Sequence, residues 1–240
     1  MRVIVIRHGF RMDESDGGEW KRATGELWWD PPLVPNDLYP SEAAKLFRGP
    51  FDPNRVVFYS SPFQRCLETC KLVSRTLFPE RNPRIVVLPG LSEVLAPSLV
   101  PSFRDIFTES YFQSKFPGCD FDLSRLHTKP AYPEKWDKAA ERYASVWHGV
   151  CERDEPANCD GRLAILVTHG YGVETLLDQA DAGLCRRMTG LDYCAFFEAT
   201  RTDAPRGSGR PGWRVVAHHG MHFVEEETPS VVPAANPHVF

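Results

Sequence analysis

No stretch of this 240-residue chain approaches the roughly 20 consecutive apolar residues a membrane helix needs, so no membrane role is expected. The formal net charge is −4, so there is no basic excess to hold nucleic acid. The seven cysteines form no Cys-x-x-Cys pair and are odd in number. That argues against a disulfide framework or a zinc site and for reduced thiols. The first apolar run, Val3 to Ile6, is too short for a signal peptide and leads straight into a charged turn. A cytoplasmic location is therefore expected. There are no internal repeats, and the length suits one domain.

Proline, by contrast, is plentiful, clustering at 31–40, 79–101, 130–133 and in the tail, which marks those stretches as loops. The tail 225–240 is expected to be loosely ordered. Between the loops, the pattern predicts strands at 2–6, 56–59, 85–88, 163–168, 193–199 and 213–218. Helices are predicted from Pro40-Ser41-Glu42 to Phe47, from Ser61-Pro62 to Leu77, over 134–152 and over 172–182. Ser61 with Pro62 reads as an N-cap followed by Pro at the first helical position. Strands alternating with helices predict an α/β three-layer sandwich with a mostly parallel central sheet. The last two strands, joined across 205–212, predict an antiparallel edge. Residues 94–132 lack clean periodicity and read as an insertion over the active site, a lid or specificity element.

The octet Arg2 to Gly9, RVIVIRHG, carries the strongest chemical signal. A β-branched run reads as a buried parallel strand, and open α/β sheets bind ligands at the carboxyl ends of such strands. Arg7-His8-Gly9 stands at that end. A second apolar strand, LAILVT, ends in His169-Gly170. Imidazole and guanidinium at strand mouths suit phosphoryl transfer, which needs a nucleophile, cations around the oxygens and a proton for the leaving group. A neutral His8 supplies a lone pair, and flanking guanidiniums disfavour its protonation. Arg7 and Arg11 flank it with forks that match phosphate oxygens. Arg65 falls in the first turn of a helix, where an anion is already favoured, although a solvated role is equally compatible with its position. Glu93, after strand 85–88, can protonate a leaving oxygen if burial raises its pKa.

Taken in order, RHG, SSPFQRCLET, PGLSE and VTHG resemble the histidine phosphatase superfamily, which includes the cofactor-dependent phosphoglycerate mutases. The resemblance spans about residues 2–200. It implies that His8 becomes phosphorylated, that Arg7, Arg65 and His169 bind the phosphoryl group, and that Glu93 is the acid and base. The segment DPPLVPNDLYPSEAAKL at 30–46 is similar to the family's approach to its first helix, with Asp37 where a Gly is usual. RHGFRMD is similar to the RHGERMD opening of the suppressor of T-cell receptor signalling and ecdysteroid-phosphate phosphatase branch, which implies a phosphate-binding role for Arg11. Phe10, Val94 and Gly170 depart from that branch. The Ser/Asn-rich segment that mutases carry after RHG is missing.

The expected function is hydrolysis of a small-molecule or protein phosphomonoester through phosphohistidine on His8, without metal or cofactor. The alternatives are a phosphoglycerate mutase-like transferase and a non-catalytic phosphate-binding module. A homodimer is left open. Weaker signals are set aside. Cys119 and Arg125 match a Cys-x5-Arg spacing, but Asp120 and Asp122 between them would repel phosphate. His218, His219 and His222 have no acidic or Cys partner nearby in sequence for a metal site. Glu174 reads as a solvated helix residue. The aromatics at 20–39 and 103–136 can wall a site but read mostly as core.

Overall fold

The computed structural model describes residues 1–15, 18–23, 28–101, 108–126, 128, 130–153, 161–205 and 211–224. In chain order the first elements are β1 (Arg2–Arg7), α1 (Met12–Ser15), α2 (Glu19–Ala23), α3 (Tyr39–Lys45), β2 (Val56–Ser60), α4 (Gln64–Leu77) and β3 (Ile85–Val87). A 3₁₀ turn (Pro89–Leu91) leads on to α5 (Glu109–Lys115), β4 (Phe121–Asp122) and α6 (Trp136–Trp147), which runs into a π turn (His148–Arg153). The chain continues through β5 (Leu163–Thr168), α7 (Gly170–Ala180), α8 (Ala182–Arg187), β6 (Met188–Pro205) and β7 (Pro211–Phe223).

The strands form a seven-stranded sheet in the order β4-β3-β2-β5-β1-β6-β7. The first five are parallel, and β6 and β7 run antiparallel at one edge. This is the α/β architecture read from the alternation of elements. Ile4, Ile6, Ile165 and Val167 pack one face of the sheet against Leu67, Cys70 and Val73 of α4 and Ala43 of α3. Val3, Val5, Ala164 and Leu166 pack the other face against Tyr143 and Trp147 of α6 and Val173 and Leu176 of α7. Burial on both faces is why these strands read as unbroken apolar runs.

Several boundaries differ from the sequence reading. Helix α4 starts at Gln64 rather than at Ser61-Pro62, with Phe63 as its N-cap. The reason is that Asp30, brought in from the Trp- and Pro-rich loop, accepts the Gln64 N–H at 2.9 Å, while Ser61 turns its hydroxyl to His169. The closing strands are longer than the predicted 193–199 and 213–218, because each pairs across the length of the other. The helix predicted over 172–182 divides at Asp181, whose carboxylate accepts the Leu184 N–H and so caps α8. Two short helices that the pattern does not predict, α1 and α2, precede the proline cluster at 31–40. Phe121–Asp122, within 94–132, joins the sheet as β4. There Asp120 and Asp122 face Arg84 at 3.7 and 3.9 Å, as ion pairs of the sheet edge. The tail 225–240 lies outside the described residues. No helix among the described residues is long and apolar enough to cross a membrane.

Candidate active site

Strand register builds this site. Arg7 of β1 lies beside Thr168 of β5, and Ser60 of β2 beside Val167. The residues that follow each strand therefore leave the sheet at one level. His8 N–H donates to Thr168 O and Ser61 N–H to Val167 O, both at 3.0 Å. The two imidazoles end 5.4 Å apart between centroids, edge to face. Gly9 is required at the turn, since a Cβ there would sit 2.4 Å from Asp37 Oδ2. That carboxylate accepts the Phe10 N–H, its other oxygen the Tyr39 N–H, both at 2.9 Å. The acid at position 37 thus ties the first turn to the start of α3. Thr69 of α4 ties it from the other side, accepting the Gly9 N–H at 2.9 Å.

His8 is 2% exposed. Its Nδ1–H donates to Gly9 O at 2.8 Å, which leaves the lone pair on Nε2. Burial holds its pKa well below the ordinary imidazole value, and Arg65, His169 and Arg7 add to that against the pull of the Gly9 carbonyl. His8 is neutral at pH 7. His169 accepts from Arg65 Nη2 at Nδ1, 3.0 Å away, so its Nε2–H donates to Ser61 Oγ at 2.9 Å. Burial pushes His169 down to about 4, with Arg65 acting the same way and Glu93 opposing.

Arg65 is 2% exposed and lies in the first turn of α4. Its guanidinium reaches Asp30 at 3.6 Å and Glu93 at 3.5 Å and lies 4.8 Å from the Phe63 ring centre. Of the even choice at position 65, the solvated alternative is excluded by this burial. Arg7 donates to Leu191 O at 2.8 Å and lies 4.1 Å from the Tyr193 ring centre. The Nε–H groups of Arg7 and Arg65 are buried donors with no protein acceptor. Two such donors beside one neutral imidazole make a place for an oxyanion.

Glu93 Oε2 lies 3.3 Å from His169 Nδ1, and Oε1 accepts the Val94 N–H. Here the sequence expectation is corrected. Burial does push the Glu93 pKa up, but His169, Arg65 and the Val94 N–H outweigh it and hold the carboxyl at about 2. Glu93 is a carboxylate in the unliganded site. The loop that carries it is clamped by Arg142 of α6, which donates to the carbonyls of Gly90, Ser92 and Glu93 and pairs with buried Glu134 at 2.7 Å.

Arg11 is placed differently from Arg7 and Arg65. Its fork engages Asp13 in two bonds and faces Glu14 at 3.7 Å, while it still contributes to the depression of His169. Glu174 is exposed on α7. His222 pairs with Asp192 at 3.0 Å, and the described residues contain no group of three or more His, Cys, Asp or Glu arranged to hold a metal ion.

Sequence reasoning missed three contributors. Asp30 caps α4, faces Arg65 and accepts the Tyr111 hydroxyl at 2.9 Å, which anchors α5. Its only signal was an acid at the end of Trp28-Trp29. Arg142 lay hidden on an amphipathic helix. Tyr193 comes from β6, with its ring 5.6 Å from that of His8. The pairing of β6 with β7 is irregular between Leu191 and Phe196, and Cys194 has φ +56°. That irregularity turns Tyr193 toward the site, and no sequence pattern marks it. For Asp30, truncation is the informative change: Asp30→Ala is expected to cost about 3–5 kcal/mol in chemical denaturation, because Arg65 loses a buried counter-charge. Asp30→Asn, which keeps the cap, is expected to cost less.

Known proteins share this arrangement of elements. A solved ecdysone phosphate phosphatase from Bombix mori, in complex with tungstate, matches with a TM-score of 0.55 at 17% identity, over 90% of this chain and 92% of that one. A mycobacterial glucosyl-3-phosphoglycerate phosphatase matches with a TM-score of 0.53 at 17% identity, over 89% of this chain and 96% of the other. At those identities the likeness is one of fold. An uncharacterised phosphoglycerate mutase family protein of Acanthamoeba polyphaga mimivirus is 25% identical over 183 residues, 74% of this chain and 78% of that protein. The family model of the histidine phosphatase superfamily, branch 1, matches residues 3–196, so every residue of the site from Arg7 to Tyr193 falls inside it and the chain belongs to that superfamily.

Proposed function

We propose that the protein hydrolyses phosphomonoesters through a phosphohistidine on His8. The observation that carries this reading is a buried, neutral imidazole whose Nδ1–H is fixed on Gly9 O, beside two guanidiniums with unused buried donors. His8 Nε2 attacks phosphorus in line. Arg7 and Arg65 neutralise the equatorial oxygens, the neutral His169 offers one of them a hydrogen bond, and Arg11 joins them on leaving Asp13. The P–O bond to the alcohol breaks, and Glu93 delivers a proton to the departing oxygen. Glu93 then takes a proton from the water that attacks phosphohistidine, which returns His8 and releases phosphate.

Glu93 is ionised beforehand, so the proton must arrive with the substrate. A phosphate monoanion carries one. As its charge engages Arg65, that cation no longer holds Glu93 down, and negative charge stands beside the carboxylate. Both changes raise the proton affinity of Glu93. His169 Nδ1 lies 3.3 Å from that carboxylate.

The testing experiment follows phosphate release from p-nitrophenyl phosphate with and without EDTA. Turnover that EDTA leaves intact is expected, because the cationic groups around the phosphoryl position are side chains. A parallel assay offers 3-phosphoglycerate with bisphosphoglycerate and is expected to show no isomerisation. No phosphate release overturns the reading, and efficient isomerisation replaces it with the mutase one.

A further inference from the structure

A cleft of about 540 Å³ opens beside Arg7, walled by Leu191, Tyr193 and Gly220 of the β6–β7 hairpin, but Glu93 is not among its lining residues. Proton delivery to a leaving oxygen depends on Glu93, and so on what holds the loop after β3. That loop leaves the sheet at Val87 and passes through one 3₁₀ turn, Pro89–Leu91. The carbonyls of Gly90, Ser92 and Glu93 bond to a single side chain, Arg142 of α6, at 2.7, 3.0 and 3.2 Å. Its two other bonds go to Glu134 at 2.8 and 2.7 Å, so all five guanidinium donors are used. The two side chains are only 11% and 3% exposed. Glu134 also reaches the far side of the acid. Its Oε2 accepts the Leu95 N–H at 3.3 Å, and its own N–H donates to Leu95 O at 3.0 Å. The pair therefore grips the backbone before and after Glu93. Tyr143 of α6 adds its hydroxyl to Ser92 O, and Thr168 of β5 its hydroxyl to Leu91 O at 2.9 Å. Gly90 lies so close to α6 that a Cβ would sit 2.4 Å from Val146 Cγ2.

Net stability is a weak reason for burying such a pair. Both charges lose water, and an apolar pair of the same shape would serve the fold about as well. What the pair supplies is direction, and Glu93 needs it. Its Oε2 faces Arg65 at 3.5 Å and His169 at 3.3 Å, while Oε1 is restrained by the neighbouring Val94 N–H. A carboxylate on irregular backbone moves with its loop, and a misplacement of about 1 Å can cost about 10²-fold in rate. Resting on the phosphatase reading, we infer that Arg142 and Glu134 are positioning residues, which hold the loop so that Glu93 meets the leaving oxygen. They act through Glu93 and not on the ester. Lysine is no equivalent at position 142, because a compact ammonium cannot span three carbonyls and a carboxylate as the planar fork does.

The test compares kcat/KM on ethyl phosphate, whose leaving oxygen needs a proton, with kcat/KM on p-nitrophenyl phosphate, whose oxygen does not. Arg142→Lys is expected to lower the first by about 10–100-fold and the second far less, so that their ratio falls as it does in Glu93→Gln. On p-nitrophenyl phosphate kcat is expected to fall as well, because the same carboxylate activates the water that attacks phosphohistidine. A second variant, Glu134→Met with Arg142→Met, removes both charges together and leaves neither buried and unpaired. It is expected to keep a cooperative thermal transition and to show the same fallen ratio. Misfolding lowers only the amount of active protein and leaves the ratio where it was, so it cannot imitate this result. A ratio that both variants leave standing overturns the positioning role while the phosphatase reading survives. A ratio that Glu93→Gln also leaves standing removes Glu93 as the proton donor, and the inference with it. Hydrolysis of neither ester by the unaltered protein overturns both readings.

Discussion

His8→Ala is expected to reduce turnover of every phosphate ester by at least ~10⁴-fold, the scale at which loss of a covalent nucleophile is felt. The remaining arginines and His169 are expected still to bind the ester, so KM should change far less than kcat. Labelling separates this from a general loss of the site. With ³²P-labelled ester, the unaltered protein is expected to trap acid-labile, base-stable label, and His8→Ala none. Label of the same stability in His8→Ala would move the nucleophile elsewhere, with His169 the next imidazole at 5.4 Å. Cys66 is no substitute. Its thiol lies 3.5 Å from His169 Nε2, but burial pushes its pKa up and keeps it protonated.

Glu93→Gln is expected to lower kcat by about 10²–10⁴-fold on alkyl esters, the range for removing a general acid. On p-nitrophenyl phosphate the loss in kcat/KM should be much smaller, because that oxygen departs without a proton, while kcat still falls because Glu93 also activates the water that hydrolyses phosphohistidine. The pH profile carries the same logic. For kcat/KM the relevant species are free protein and free ester. On the acid side both imidazoles must be neutral, and burial holds His169 at about 4. Activity therefore falls as pH drops through that value and His169 gains a proton. On the alkaline side Glu93, held at about 2, has no proton to give. The proton is the ester's own, lost with a pKa of about 6, so activity falls about tenfold per pH unit above it. The expected optimum lies near pH 5, and its alkaline limb moves with the second pKa of the ester used. With an alkyl ester that limb should flatten in Glu93→Gln, whereas p-nitrophenyl phosphate, whose oxygen needs no proton, should show little of it in either protein. A limb that stays put would mean that Glu93 does not handle the proton.

What could be read in advance divides by the kind of information needed. His8 and His169 were legible because each ends a buried parallel strand, and register then forces their meeting. Arg65 was visible by its place in a helix first turn, but its burial was not, since that depends on Asp30, thirty-five positions away in sequence. Asp30 also explains why Ser61-Pro62 misled: a cap signal is local, and here a distant carboxylate replaced it. Whether burial raises the Glu93 pKa was left as a condition for a related reason. Burial alone argues for a raised pKa, whereas the outcome is decided by two neighbours on other strands and helices. Tyr193 was illegible because a strand irregularity, not a periodicity, aims it.

The residues proposed to break the bond stand at the mouths of the inner parallel strands and on the loop after β3, whereas the cleft beside Arg7 is walled largely by the outer antiparallel hairpin. An engineer can therefore graft a different outer ribbon onto the sheet while leaving the inner residues alone. Arg7 and Tyr193 are the seam where such a graft must be matched, since one leans on the other.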